Sequence, residues 1–300
     1  MLAVTILGNN SAIPAHGRHP TAQVITTADD LLLFDCGEGT QIQILNYRIK
    51  RSRINHIFIS HLHGDHYFGL VGLLNSLALL SRTQPLHIYG PAPLIDVLEL
   101  QFKLSDTRLP YLLTFHPLER EGLLLDEKHY QVRCFPTSHR IECWGFKVNE
   151  KKNLRKVNAA AAAQYGITST LFPKIQNGED IVMADGSTIA NDLVSYPNVQ
   201  PKSYVFCADT KYDEKLIDMV QGADLMYHEA TYPDAFREKA TERYHSTTKQ
   251  AATIAQKGKV KKLLIGHFSA KFESLEIFEQ EAREVFPETE LATEGVTYLL

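Results

Sequence analysis

Within six residues, His61, His63, Asp65 and His66 bring together three imidazoles and a carboxylate. Polar groups crowded in this way need charge compensation or partners. A divalent ion supplies both, and borderline ions such as zinc accept imidazole nitrogen together with carboxylate oxygen. The stretch His61-Leu62-His63-Gly64-Asp65-His66 follows the apolar run Ile57-Phe58-Ile59-Ser60 directly. That order predicts a buried strand whose carboxyl end carries the ligands on a loop turned by Gly64. A hydrolytic centre with two ions about 3.5–4 Å apart takes roughly six to seven ligands, so further donors are expected from other strand ends. Three positions have the same context: His139 after Cys134-Phe135-Pro136-Thr137-Ser138, Asp209 after Val205-Phe206-Cys207-Ala208, and His267 after Leu264-Ile265-Gly266.

Positioning these residues requires many short strands. The apolar patterning predicts strands at Leu2 to Leu7, Ala22 to Thr27, Leu31 to Asp35, Ile57 to Ser60, Leu86 to Tyr89, Tyr111 to Phe115, Tyr130 to Phe135 and Gly145 to Val148. Further strands are expected at Tyr204 to Cys207, Leu225 to Tyr227, Leu263 to Ile265 and Val296 to Leu299. Helical patterns fall at Thr40 to Tyr47, Gly69 to Leu80, Leu94 to Leu104, Lys211 to Val220, Thr247 to Lys257 and Leu275 to Val285. Strands followed by helix–strand alternation, in both halves, fit two sheets face to face with helices outside. Residues 149–202 break the rhythm and read as a protruding insertion. In it Asn158 is a candidate N-cap for the run Ala159 to Ala163, Gly166 a stop, and Ile181-Val182-Met183 with Ser187-Thr188-Ile189 a small hairpin.

With 44% hydrophobic and 22% charged residues, the 300-residue chain can bury a large core, and a single domain, 1–300, with that long insertion is expected. The sequence holds no apolar run near the roughly 18 residues of a spanning helix, and no membrane association is expected. Neither a basic leader nor a cleavage site opens the chain, and Cys36, Cys134, Cys143 and Cys207 form no paired spacing, which points to a cytoplasmic protein with reduced thiols. A net charge of -4 gives no global attraction to nucleic acid, so a polyanionic substrate must be met by metal and local patches. Two patches are candidates: Arg48, Lys50, Arg51 and Arg53, and Lys151, Lys152, Arg155 and Lys156.

The pattern His-x-His-x-Asp-His with a later His, Asp and His resembles the metallo-β-lactamase superfamily. That resemblance implies a four-layer αββα sandwich in which His61, His63 and His139 hold one Zn2+, Asp65, His66 and His267 a second, and Asp209 bridges both. Further stretches are similar to the short-form ribonuclease Z enzymes, which trim the 3′ end of precursor tRNA. They are Leu7-Gly8-Asn9-Asn10-Ser11-Ala12-Ile13-Pro14, Asp35-Cys36-Gly37-Glu38-Gly39-Thr40-Gln41 and His66-Tyr67-Phe68-Gly69-Leu70-Val71-Gly72-Leu73-Leu74. His228-Glu229-Ala230-Thr231, His245-Ser246-Thr247 and Gly266-His267-Phe268-Ser269-Ala270 complete the set. The resemblance implies hydrolysis of a phosphodiester that leaves a 3′-hydroxyl on the tRNA and a 5′-phosphate on the trailer. Zinc lowers the pKa of bound water towards about 7, and Asp65 is a candidate proton acceptor as well as a ligand. His245 is the candidate donor to the leaving 3′ oxygen, with Glu229 holding its imidazole. His228 stands open between a buried supporting position and a catalytic one, and Thr210 and Ser269 between phosphate contact and support of the ligands.

The family's arm grips the tRNA body and, in the homodimer, serves the partner's active site, which makes 149–202 the expected arm. Around 166–173 the Gly-Pro pair usual in that arm is absent, and Lys271 stands where arginine is usual, keeping the charge but losing a bidentate fork. The alternative is another hydrolase of the same fold, acting on a small phosphodiester, thioester or lactone. The arm and its basic patch speak against it, since a small substrate needs neither.

Overall fold

The computed structural model describes residues 2–151, 154–198 and 200–300, so Lys152 of the second basic patch lies outside the described residues. The chain divides into two compact units, residues 1–149 with 202–300, and residues 150–201.

In the larger unit the first half of the chain runs β1 (Ala3–Gly8), β2 (Ala22–Thr26), β3 (Leu31–Phe34), α1 (Thr40–Asn46), β4 (Ile54–Phe58), α2 (Gly64–Tyr67), α3 (Leu70–Leu79), β5 (Leu86–Pro91), α4 (Leu94–Leu104), β6 (Leu113–Leu118), β7 (Gly122–Asp126), β8 (Tyr130–Pro136) and β9 (Trp144–Glu150). The smaller unit follows as β10 (Lys156–Val157), α5 (Ala159–Gln164), α6 (Phe172–Asn177), β11 (Ile181–Val182), β12 (Thr188–Ile189), α7 (Asn191–Val194) and β13 (Ser195–Tyr196). The larger unit resumes with β14 (Ser203–Cys207), α8 (Leu216–Val220), β15 (Leu225–Glu229), α9 (Arg237–Glu242), α10 (Thr248–Lys257), β16 (Leu263–Gly266), α11 (Glu276–Val285), β17 (Thr289–Leu291) and β18 (Thr297–Leu299).

Two seven-stranded sheets form the larger unit, in the orders β18-β1-β2-β3-β4-β5-β6 and β17-β16-β15-β14-β9-β8-β7. Successive side chains on a strand point to opposite faces, so each buried strand feeds two cores. On β4, Phe58 joins the core between the sheets while Ile57 packs under α3 and α4. On β15, Tyr227 faces the same central core and Met226 the layer of α8, α10 and α11. Helix, sheet, sheet and helix are thus joined by three apolar interlayers, which is the αββα sandwich expected from the sequence.

Strands β3, β4, β5 and β6 are mutually parallel, as are β14, β15, β16 and β17, and parallel strands deliver the loops that follow them to one edge of their sheet. The strand before the metal loop starts and stops earlier than expected, at Ile54–Phe58, and Ile59-Ser60 already belongs to the loop. The helical pattern over Lys211 to Val220 yields only Leu216–Val220, because Thr210 and Lys211 are engaged by loop partners, Lys211 N–H donating to the Ser138 carbonyl. Close loop packing explains Gly69: a Cβ there would lie 2.2 Å from the Gly37 carbonyl oxygen, so the residue opening α3 has no room for a side chain.

The smaller unit has its own apolar cluster of Ala162, Ile167, Ile175, Ile181, Ile189 and Val194. Asn158 caps α5 by accepting from the Ala161 N–H, Gly166 adopts a positive φ beyond the helix, and β11 pairs with β12 as the small hairpin. Arg155 is tied to Asp192 and the Ser195 hydroxyl within this unit, which takes one of the four cations of its basic patch out of play for a partner.

Candidate metal centre

The loops after β4, β8, β14 and β16 carry His61 to His66, His139, Asp209 and His267, and the side chains converge at the sheet edges. His61, His66, Asp209 and His267 are at most 2% exposed. His61 Nε2 lies 3.0 Å from His63 Nδ1, which lies 3.1 Å from His139 Nε2. Asp209 Oδ2 stands 3.6 Å from His61 Nε2 and 3.9 Å from His139 Nε2. On the other side His66 Nε2 and His267 Nε2 are 3.3 Å apart, with Asp65 Oδ2 3.6 and 3.3 Å from them. Asp209 Oδ1 closes this second group at 3.4 Å from His66 and 3.3 Å from His267. All seven ligands expected from the sequence are therefore together, in two groups joined by the two oxygens of Asp209.

The donor spacing tests whether a metal fits. Ligands about 2.0–2.1 Å from a tetrahedral ion stand roughly 3.3 Å from each other. The separations given above, 3.0–3.9 Å in the first group and 3.3–3.6 Å in the second, lie close to that edge, and imidazole with carboxylate is the donor set of zinc and related ions.

The outer nitrogens agree with ligation. His66 Nδ1–H donates to Asp35 at 2.7 Å, and His139 Nδ1–H to the Tyr244 carbonyl at 2.9 Å. Ser60 gives its proton to Asp35 and so accepts from His61 Nδ1 at 3.0 Å; Thr231 gives its proton to Glu229 and so accepts from His267 Nδ1 at 2.9 Å. Each bond leaves the Nε2 lone pair aimed at the centre, which is how outer partners set the tautomer of a metal-ligating histidine. His63 is reversed, with Nδ1 inward and Nε2 2.9 Å from Arg140 Nη2, and since the guanidinium only donates, this contact does not fix the tautomer that ligation through Nδ1 needs.

The sequence pattern by itself assigns no role to Asp35, Ser60, Thr231 or Arg140. Asp35 carried a legible signal, an acid closing the apolar strand Leu31-Leu32-Leu33-Phe34, where a buried charge demands a partner. Asp35 and His267 both hold positive φ angles, 56° and 59°, uncommon for residues with a side chain and typical of functional loops.

Electrostatics follow from crowding. Burial opposes charge on Asp65 and Asp209, yet the imidazoles around them, those of His66 and His267 above all, hold both carboxyls below the usual carboxylate range. Burial also works against His66, but Asp209, Asp65 and Asp35 raise it well above an ordinary imidazole, so metal binding at Nε2 displaces a proton there. His63 is pushed down to about 4 by burial and by His139.

Beside the centre His245 Nδ1–H donates to Glu229 Oε1 at 2.8 Å. Glu229 is fully buried and accepts also from the Thr210 N–H, the Thr231 N–H and the Thr231 hydroxyl, so its charge is solvated by protein donors. Burial lowers the His245 pKa, but Glu229 outweighs it and the imidazole rises to about 9. His228 is fully buried with Nδ1 on the Glu229 carbonyl, and its Nε2 is buried without a partner among the described residues. Thr210 is buried, its hydroxyl donating to the Lys211 carbonyl and accepting from the Ser138 N–H of the loop after β8, whereas Ser269 lines the cavity. The site opens into a cavity of about 700 Å³ lined by His63, Asp65, His139, Asp209, His245 and His267, with Arg140, Arg243 and Lys271 on its wall. The first basic patch lies elsewhere, at the amino end of β4 and thus opposite the metal loop.

Comparison with known proteins gives this geometry its context. A family model described as anti-Pycsar protein Apyc1 matches residues 2–154. A ribonuclease Z of Parabacteroides distasonis is 39% identical over 295 residues, spanning 98% of this chain and 97% of its own. One from Porphyromonas gingivalis is 40% identical over 97% of both chains. Among solved structures, human tRNase Z, short form (ELAC1), superposes with a TM-score of 0.72 at 29% identity, covering 99% of this chain and 98% of that one. The metallo-β-lactamase fold protein YhfI from Bacillus subtilis, at 20% identity and a TM-score of 0.70 over 99% of this chain and 98% of its own, shares the fold. The chain belongs to the family of that model through its first half and, over its whole length, to the ribonuclease Z family of metallo-β-lactamase-fold enzymes.

Proposed function

We propose that the protein removes the 3′ trailer from precursor tRNA by hydrolysing one phosphodiester, with two zinc ions held by His61, His63 and His139, by Asp65, His66 and His267, and by Asp209 between them. The observation that carries this reading is the full-length match to proteins named ribonuclease Z by a chain whose ligand set is complete. When bound, zinc supplies a nucleophile from water near neutral pH and offsets the charge developing on the phosphate. Asp65 is ionised and fixed by the Ala12 N–H at 2.7 Å from Oδ2; its lowered pKa makes it a weak base alone, and as the candidate proton acceptor it relies on a bound metal to acidify the water. His245, charged and oriented through Nδ1 by Glu229, gives its other ring proton to the departing ribose 3′ oxygen. Glu229 touches no substrate and is a positioning residue. Arg140, Arg243 and Lys271 face the cavity and meet backbone phosphates near the cut.

Residues 150–201 act as the arm that holds the tRNA body. Deleting them is expected to weaken precursor cleavage by about tenfold or more while sparing bis-p-nitrophenyl phosphate, since only the long substrate reaches a remote contact. Equal loss on both substrates would make the segment structural. The same pair of assays tests the function: rapid turnover of the small ester with no trimming of precursor tRNA would overturn it in favour of a small phosphodiester as substrate.

The protein acts as a homodimer in the cytoplasm. Ile42 and Leu45 on α1 are 56% and 67% exposed beside α3, an apolar face suited to a second copy. Light scattering that gave the 33.8 kDa of one chain would refute the dimer. The four described cysteines are free and buried, as a reducing compartment favours, and cell fractionation checks the location.

A further inference from the structure

The basic run before β4 is absent from the metal centre, and it borders a second cavity. Strand β4 carries the metal loop at its carboxyl end, whereas Lys50 and Arg51 stand at its amino end, about 16 Å away at the usual rise per residue. A cavity of about 450 Å³ opens there, and Lys50, Arg51 and Arg82 contribute to its lining. No aspartate or glutamate is among the lining residues. Lys50 is exposed and Arg51 half-buried, and among the described residues neither has a carboxylate within 4.0 Å.

Arg82 is the unusual member. It is 7% exposed, and a guanidinium does not neutralise itself by losing a proton. Its Nε donates to the Gln84 carbonyl, and Nη2 donates to the Asn55 side-chain oxygen and the Pro85 carbonyl, all uncharged acceptors. Its Nη1 is buried without a hydrogen-bond partner, and among the described residues no carboxylate pairs with it. The Tyr111 ring lies 5.7 Å away, His56 is a further electrostatic neighbour, and Asn55, which accepts from Arg82, donates in turn to Asp30 at 2.8 Å, so the carboxylate is one residue removed from the guanidinium. A buried cation without a carboxylate in direct contact is costly, and an anion beside it lowers that cost. Ser52, Ser81 and Thr83 add hydroxyl donors to the wall, while Ile49, Leu77 and Leu80 make the rest apolar. The volume lies within the range of small-ligand sites, and apolar walls around a few convergent polar groups are their usual make-up.

We infer that this cavity binds the phosphate monoester of a nucleotide, the phosphate meeting Lys50, Arg51 and Arg82 and the nucleoside packing on Ile49, Leu77 and Leu80. A monoester carries up to two negative charges and three acceptor oxygens, which match three cations better than a single-charged diester does. Either a free nucleoside monophosphate or a 5′-phosphorylated RNA end presents this group.

Calorimetric titration of AMP into the zinc-loaded protein tests the site, with adenosine, a 5′-phosphorylated trinucleotide and its 5′-hydroxyl form alongside. The expected result is one AMP per chain, no binding of adenosine, and affinity at least about tenfold weaker in the Lys50→Ser, Arg51→Ser double variant. Both replaced side chains reach solvent, and an unchanged melting temperature of the double variant shows that it remains folded. AMP is also expected to leave the KM for bis-p-nitrophenyl phosphate unaltered, because the cavity is not the active site. Binding of AMP alone identifies a free nucleotide as the source, and binding of the phosphorylated trinucleotide over its 5′-hydroxyl form identifies an RNA end. Equal AMP affinity in the double variant, competitive inhibition accounting for all the binding, or no binding of either phosphate monoester overturns the proposal.

Discussion

An Asp209→Ala protein is expected to retain well under two zinc ions per chain and to lose activity on both precursor tRNA and bis-p-nitrophenyl phosphate by at least about a thousandfold. The reason is that its two oxygens belong to different groups, Oδ2 facing His61 and His139, Oδ1 facing His66 and His267. Removing either group's own ligand leaves the other group whole, whereas removing Asp209 takes a donor and a negative charge from both. Five imidazoles and Asp65 then remain in a buried space with one carboxylate for two divalent ions. Metal content by plasma mass spectrometry, beside circular dichroism to confirm folding, checks the prediction. Two zinc ions retained at full occupancy would show that Asp209 is not shared.

His245→Ala is expected to lower turnover of precursor tRNA by about 10²–10⁴, the usual size of a general-acid contribution, with both zinc ions kept. The metal measurement matters here, because Asp209, Glu229, His245 and His267 also approach one another closely enough to hold an ion. Loss of zinc in the alanine variant would make His245 a ligand. The pH profile separates the roles further. A proton donor must be charged, so the rate falls as pH rises through its pKa; with Glu229 present that pKa is raised to about 9 and the fall belongs near that value. In Glu229→Gln the counter-charge is gone while burial remains, which lowers the imidazole, and the fall is expected to move to lower pH. A substrate with a good leaving group, such as the nitrophenyl ester, needs little protonation and loses less. An unmoved profile in Glu229→Gln would sink the proton-donor assignment.

Much of this centre is legible because its chemistry is local. Four ligands share one loop, and the other three follow apolar runs that any α/β pattern turns into strand ends. The helices Thr40–Asn46, Leu70–Leu79 and Thr248–Lys257 fall within a residue or two of their sequence patterns, since the periodicity and the Thr247 cap are local too. Less visible were β7, whose Leu123-Leu124-Leu125 run lacks alternation, and β17, a three-residue edge strand. Pairing with β8 and β16 makes them strands, and pairing is not a local property.

The amino-acid sequence by itself determined the donor types, their order on strand-end loops and the sandwich that presents them, because side-chain chemistry and apolar period are properties of neighbours in the chain. Only the tertiary structure decided which oxygen of Asp209 faces which group, that Asp35 and Thr231 hold the outer nitrogens of His66 and His267, and that His228 is fully buried. It also decided that the cations before β4 surround Arg82 at the opposite end of the strand from the metals. Each of these is a relation between side chains remote in sequence, set by sheet register and by which face of a strand a residue occupies, and the direction of a parallel strand alone separates its two ends.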